Sequence, residues 1–378
     1  MNGTTSNTTV PPKTASVTTN GHSEKKYRPW NDFRSDTFTV PSDEMRQVMY
    51  EATDGDAVYE EDEDTIKLEE YVAKLSGKEA GLFVTSGTQG NQLCIRTHLH
   101  QPPHSIVCDD RAHIYNWEAG AIGLFTQSIV RPVAPKNGKY ITAEEVESKL
   151  IIGEDIHFAP TRLICLENTI KGSVIPIEEI ARISALAKSY NIPLHCDGAR
   201  LWDASAASGV SIEEYCSYFD TVSLCLSKGL GAPIGSVIVG PKDVINKATW
   251  FRKAYGGGMR QSGMLAAAGL HSIERNFPLL TRVHKYCQDF TKYAESLGVE
   301  FEVTPETSIA ILTNVNVAIL VDEAKKAGIV LMGPRVVFHI QITADAVDML
   351  KHALKRTVER QELEPDVVAK PGEFKVGY

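Results

Sequence analysis

Short apolar runs that end on polar or charged residues recur along the chain, and this alternation is what most limits its fold. Ile106-Val107-Cys108 and Ile129-Val130 are two such runs. Leu163-Ile164-Cys165-Leu166 leads into Glu167-Asn168, and residues 192–196 lead into Asp197. Residues 222–226 lead towards Lys228, and residues 235–240 return as one more run. Runs this short and apolar fit buried strands. The stretch at about 177–190 has helical spacing, with Ile177, Ile180, Ile183, Ala187 and Tyr190 recurring at threes and fours. Strands alternating with helices, with polar residues gathered at strand ends, predict an α/β doubly wound sheet that binds ligands at the carboxyl ends of its strands.

Ser223-Leu224-Cys225-Leu226-Ser227-Lys228-Gly229-Leu230-Gly231-Ala232-Pro233 reads as a strand entering a tight glycine turn, with one lysine at its end. The glycines and proline that follow forbid further helix or strand. A lysine held by such rigid flanks is shielded from water, and shielding favours the neutral amine that attacks a carbonyl. Lys228 is therefore a candidate Schiff-base lysine; the structural alternative is an exposed lysine in a polar turn. About thirty residues upstream, the length of one strand-helix-strand unit, Ile192-Pro193-Leu194-His195-Cys196-Asp197-Gly198-Ala199-Arg200 ends another strand on a charged pair. A carboxylate there fits pyridoxal phosphate, whose ring nitrogen keeps its proton against an Asp partner. Arg200 suits the cofactor's phenolate oxygen or a substrate carboxylate. On the bare pattern, Asp197 also serves as a turn residue or helix cap.

Phe83-Val84-Thr85-Ser86-Gly87-Thr88-Gln89-Gly90-Asn91 opens, with small residues, a helix expected over about 92–100. Free amides at a helix start, joined by a Ser or Thr hydroxyl, bind phosphate, although a simple cap reads the same way. His113 lies between two strands. It suits stacking on an aromatic cofactor, acid-base work, or a purely structural role. Tyr255-Gly256-Gly257-Gly258-Met259-Arg260-Gln261 is a glycine loop with one arginine, suited to an anion. A long helix is expected from about 266 to 297, with a break near Asn276-Phe277-Pro278, leading into a smaller lobe. In that lobe Pro334-Arg335-Val336-Val337-Phe338-His339-Ile340 reads as a strand carrying one arginine. The expected domains are a large one over 29–275, including an N-terminal segment, and a small one over 276–365. Tails are expected at 1–28 and 366–378. The first is rich in Thr, Asn, Ser and Pro and lacks the apolar region of a secretory signal.

Composition narrows the partners. A net charge of -9, with no basic stripe, argues against nucleic acid. No apolar run is long enough to span a bilayer. The seven cysteines are single residues, with no CxxC pair and no metal-ligand spacing. No metal is expected, and a reducing, cytoplasmic compartment is. No GxGxxG follows a strand, which argues against a dinucleotide-dependent oxidoreductase.

Set in order, the pieces form one pattern. They are Arg34-Ser35-Asp36-Thr37, Ser86-Gly87-Thr88 with Asn91, His113 with Glu118, Glu167-Asn168-Thr169, Asp197-Gly198-Ala199-Arg200, Ser227-Lys228-Gly229 with Ala232-Pro233, and Gly256-Gly257-Gly258-Met259-Arg260-Gln261. The set resembles the threonine aldolase family of pyridoxal-phosphate enzymes, from about Phe33 to about Leu350. The resemblance implies the aspartate-aminotransferase-like fold type I, with a large domain around a mostly parallel seven-stranded sheet and a smaller C-terminal α/β domain. It implies that Lys228 binds pyridoxal 5'-phosphate covalently, Asp197 pairs with the pyridine nitrogen and His113 stacks on the ring. It further implies that Gly87 and Thr88 hold the phosphate, with Arg260 reaching it from a neighbouring subunit. Ser35, Arg200 and Arg335 hold the carboxylate of a small amino-acid substrate. A homodimer or homotetramer with shared active sites is implied as well.

The implied reaction is cleavage of L-threonine or L-allo-threonine to glycine and an aldehyde. Two departures from the family pattern bear on it. Many bacterial members continue the Glu-Asn-Thr motif with a histidine near the substrate hydroxyl, where this chain has Ile170. The usual Arg-Leu-Val-Thr-His pattern becomes Arg335-Val336-Val337-Phe338-His339. A fungal branch that resembles these aldolases contains alanine racemases supplying D-alanine to cyclic-peptide pathways. A racemase, with His113 as the second acid/base opposite Lys228, is accordingly the alternative.

Overall fold

Among the described residues, seven strands build one sheet: β1 (Ala80–Val84), β2 (Ser105–Asp109), β3 (Ile129–Val133), β4 (Thr161–Glu167), β5 (Leu194–Gly198), β6 (Thr221–Cys225) and β7 (Ser236–Gly240). The structure is a computed structural model that describes Tyr27 and residues 29–153 and 155–363. Apart from Tyr27, the tails expected at 1–28 and 366–378 lie outside the described residues. The spatial order is β1-β7-β6-β5-β4-β2-β3. Strands β2 to β6 pair in parallel, and β7 runs antiparallel to both of its neighbours. The sheet is thus mostly parallel, as the alternating pattern predicts. Every residue of β2, β5, β6 and β7 is buried. A sheet covered on both faces explains why these strands read as short apolar runs.

The helix expected over 92–100 starts earlier and spans Gly87–His98, because Ser86 caps it by accepting the Gln89 N–H. The long helix expected over 266–297 divides into Gly263–Asn276 and Leu280–Ser296. A single 3-10 turn, Phe277–Leu279, separates them where Pro278 has no N–H to give. The strand expected over 334–340 narrows to β9 (Arg335–Val337), paired antiparallel with β8 (Ile309–Ile311). Beyond Val337 the chain turns under the N-terminal segment, and the His339 ring bonds the Asp32 carbonyl at 2.9 Å.

That N-terminal segment joins the two ends of the chain. The Phe33 N–H donates to the Val330 carbonyl at 3.0 Å, and the Val337 N–H donates to the Phe33 carbonyl at 2.9 Å. The Phe33 ring meets Phe338 edge-on at 5.3 Å. One apolar core runs without a break from Phe33 through Leu166 and Leu224 to Leu354. No described helix is long and apolar enough to cross a membrane.

Candidate active site

A parallel sheet aligns the carboxyl ends of its strands along one edge, and the polar strand-end residues meet there. β5 delivers Asp197. β6 runs on into a hairpin to β7 that carries Lys228. The hairpin is pinned at both ends: the Leu226 N–H donates to the Gly235 carbonyl at 3.0 Å, and the Ala232 N–H to the Leu226 carbonyl at 3.0 Å. Within it the Gly231 N–H closes on the Lys228 carbonyl at 2.8 Å, with Gly231 in the left-handed region at φ +72. Lys228 faces a cleft of about 180 Å³ that Gly87, Thr88, His113, Asp197 and Ser227 also line. At the helix start beside it, Ser86 takes the N–H groups of Gln89 and Gly90. The amides of Gly87 and Thr88 are left at the open end.

Below this cleft lies a dense polar cluster. The Asp197 carboxylate accepts from the Ala199 N–H at 3.0 Å and from Asn91 Nδ2 at 2.8 Å. The same Asn91 nitrogen donates to Glu118 Oε1 at 2.9 Å, and Glu118 Oε1 in turn meets His113 Nδ1 at 2.9 Å. Burial opposes charging of His113, but the Glu118 hydrogen bond and the charge of Asp197 lift its pKa above the ordinary value. His113, Glu118 and Asp197 converge closely enough to ligate a cation. The Asn91 amide already donates to both carboxylates, which is the bridging role a cation would take.

A second cleft, of about 230 Å³, shares Lys228, His113 and Trp117 with the first and adds Glu167, Arg200 and Arg335. Here the charges do not balance. Arg200 is held by Asp36 through two parallel bonds, Nε to Oδ2 at 2.8 Å and Nη2 to Oδ1 at 2.7 Å. Burial alone would push the Asp36 carboxyl up, yet the charge and hydrogen bonds of Arg200 hold it near 2. Arg335 brings a second guanidinium, bonded to the Arg34 carbonyl at 3.4 Å. Burial, and then the like charge of Arg200, push Arg335 down to about 10 against the pull of Asp36. Two guanidiniums thus share one carboxylate, and the surplus positive charge suits a carboxylate ligand. Glu167, at the end of β4, accepts the His113 backbone N–H at 2.7 Å. Burial and the neighbouring charge of Asp197 push it up to about 7.

The structure brings most of the sequence-derived candidates together. Lys228, His113, Asp197, Gly87 and Thr88 line the first cleft, and Arg200 and Arg335 the second. Ser35 is buried beside the second cleft's ion pair, its hydroxyl 3.3 Å from Asp36 Oδ1. Arg260 is exposed, lines neither cleft and bonds the Gln261 side chain at 2.9 Å. Sequence reading did not single out Asp36, Glu167, Asn91 or Trp117 as site residues. Glu167 carries a signal, a carboxylate ending a buried strand. Asp36 stands in the Arg34-Ser35-Asp36-Thr37 piece of the family pattern, but nothing local shows its partner, which is 164 residues away.

The donor set fits the pyridoxal phosphate that the resemblance implies. Two helix-start amides suit the phosphate, a carboxylate suits the ring nitrogen and a lysine amine suits the carbonyl. The Beta-eliminating lyase family model matches residues 32–316. A Schizosaccharomyces pombe protein named "Probable low-specificity L-threonine aldolase" is 73% identical over 378 residues, covering 100% of each chain. Alanine racemase TOXG of Cochliobolus carbonum is 38% identical over 331 residues, covering 84% of this chain and 85% of the other. A solved structure of Leishmania major threonine aldolase covers 86% of this chain and 99% of its own, with a TM-score of 0.77 at 18% identity. At that identity the likeness shows the fold.

Proposed function

The chain belongs to the Beta-eliminating lyase family, and from that premise we infer that it is a pyridoxal-phosphate enzyme cleaving L-threonine and L-allo-threonine to glycine and an aldehyde. The observation that carries this reading is the junction of two clefts at Lys228, one suited to a phosphorylated aromatic ring and the other to an amino acid's carboxylate. The full-length relative at 73% identity supports aldol cleavage over racemisation, whose named relative stands at 38%.

Lys228 would hold the cofactor covalently, Gly87 and Thr88 its phosphate, and Asp197 the proton of its ring nitrogen. His113, which lines the same cleft, would stack on the ring. Bound there, the cofactor supplies an electron sink for the pair left on the substrate's α-carbon when the Cα–Cβ bond breaks. Arg335 and Arg200, with Ser35 beside them, grip the substrate carboxylate. That grip fixes which α-carbon bond is aligned for cleavage, and so which reaction runs. A proton must also leave the substrate's β-hydroxyl, and Ile170 cannot take it. Glu167 lines the substrate cleft with a carboxyl poised about 7, so it is the residue to accept that proton at its free oxygen.

Arg260 serves the phosphate of a second copy of the chain, which makes the working enzyme a homo-oligomer with shared sites. The seven cysteines are all buried and free, which suits a cytoplasmic setting. The test uses purified, cofactor-loaded protein incubated separately with L-threonine, L-allo-threonine and L-alanine. Acetaldehyde and amino-acid chirality are assayed in each. Acetaldehyde from the threonines, with alanine left as the L form, is expected. D-alanine formed faster than acetaldehyde overturns the reading in favour of the racemase.

A further inference from the structure

Behind Asp197 a line of buried side chains crosses the sheet from its carboxyl edge to its amino edge. His195 Nε2 lies 3.2 Å from Asn91 Oδ1, and His195 Nδ1 lies 2.9 Å from Thr221 Oγ1. Thr221 Oγ1 is also 2.9 Å from His98 Nε2. Asn91, His195 and Thr221 are 1%, 0% and 0% exposed. The fold places them in line for local reasons. Asn91 and His98 are seven residues apart on the helix Gly87–His98, two turns along one face. His195 and Thr221 are register partners on the adjacent strands β5 and β6. The outer end, His98, lines a separate cleft of about 830 Å³ at the amino ends of the strands, together with His104, Arg162 and Pro193.

The direction of every bond follows from the carboxylate end. A carboxylate only accepts, so the Asn91 amide nitrogen points at Asp197 and Glu118, and its oxygen must accept. His195 therefore carries its proton on Nε2 and accepts at Nδ1. Thr221 donates to that nitrogen and accepts from His98 Nε2. Burial pushes His98 down to about 4 and His195 down to about 3, so both rings are neutral at physiological pH, as this tautomer pattern requires. All four bonds point the same way, and such chains polarise one another.

We propose that His98, Thr221 and His195 are positioning residues that, through Asn91, hold Asp197 as a fixed acceptor for the cofactor's ring nitrogen. The same Asn91 nitrogen also reaches His113 by way of Glu118, so one amide sets the groups proposed to lie beneath and against the ring. This inference rests on the assignment of Asp197 made above, and the test separates the two.

The experiment compares wild type with Asp197→Asn, His195→Phe, His195→Gln and Thr221→Val. Cofactor affinity is measured by reconstituting apoenzyme, together with the pH titration of the visible Schiff-base absorbance. Glutamine keeps one donor and one acceptor, whereas phenylalanine keeps neither. Losing the relay should raise the cofactor Kd about tenfold in His195→Phe, the effect of one lost buried hydrogen bond, and move the absorbance midpoint. Thr221→Val should shift both in the same direction by less, and His195→Gln should restore wild-type behaviour. Thr221→Val removes one hydroxyl at nearly constant volume and decides the matter if His195→Phe does not fold. If Asp197→Asn alters affinity and midpoint while Thr221→Val and His195→Phe alter neither, the relay is wrong and the aspartate's role survives. A His195→Gln as impaired as His195→Phe, with Thr221→Val unchanged, reduces His195 to packing and also overturns the proposal. If Asp197→Asn changes nothing, the assignment of Asp197 falls and the relay falls with it.

Discussion

The two clefts that meet at Lys228 are built in opposite ways. The cleft proposed for ring and phosphate takes its groups from strand ends and one helix start within a single sheet, and its carboxylates are hydrogen-bonded in a closed cluster. The cleft proposed for the substrate carboxylate is assembled from distant parts of the chain: Asp36 near one end, Arg200 in the middle and Arg335 near the other end. It is left with surplus positive charge. A closed cluster can be fixed before any ligand arrives. An unbalanced cleft needs its ligand to complete it, which makes it the natural place for selection among substrates.

Four substitutions would break or sharpen this contrast. Lys228 belongs to both clefts, so Lys228→Ala should abolish the visible Schiff-base absorbance and cut turnover by on the order of 10⁴-fold or more. Turnover near wild type would mean that the junction is misplaced. Arg335→Ala removes the surplus charge alone. It should raise KM for L-threonine by about 100-fold, the cost of one charged hydrogen-bond partner, and leave cofactor affinity essentially unchanged. A comparable loss in cofactor affinity would erase the distinction between the clefts.

Glu167→Gln tests the boundary between them. As a base with its carboxyl near 7 in the unliganded protein, Glu167 must lose its proton to act, so wild-type kcat/KM should rise as pH rises through about 7. The glutamine variant should lose about 100-fold in kcat/KM and that pH limb with it. A variant that keeps the limb assigns the proton to another group.

Asp36→Asn has the smallest effect on chemistry and a measurable one on stability. The Asp36 carboxyl is depressed to about 2 in the folded chain from its ordinary 3.8. The stability it contributes, about 2 kcal/mol, is complete above roughly pH 4 and is lost as pH falls towards 2. Urea unfolding across that range should show a steeper acid loss in wild type than in the variant. Parallel curves would mean that Asp36 is no more stabilised by Arg200 when folded than when unfolded.

The contrast also explains what could be read from the sequence. Lys228, Asp197, Gly87 and Thr88 announce themselves locally, by a glycine turn, a strand end and a capped helix start. The family resemblance supplied the roles that no local signal carries, such as those of Ser35 and Arg335. Asp36 was invisible as a partner because nothing near it shows that Arg200 will arrive from 164 positions away. Asn91 stands in the family pattern with Ser86-Gly87-Thr88, but nothing local shows its role, because its partners Asp197 and His195 come from a strand far along the chain. Helix and strand limits moved where capping and packing decided them: Ser86 drew one helix start forward, and the N-terminal segment cut short the strand after Val337.

The bonds that tie Phe33 to Val330 and Val337 have a consequence for the order in which the enzyme is made. All seven strands of the sheet, with Lys228 and Asp197, lie within the first 240 residues. A chain emerging from the ribosome therefore holds Lys228, Asp197, His113, Gly87 and Thr88, and also Asp36, Glu167 and Arg200, before Arg335 exists. The Phe33 segment must wait almost a hundred more residues for Val330 and Val337 to arrive. A nascent chain thus carries these groups of the first cleft before the second is closed, and the arginine that brings the surplus charge is added late.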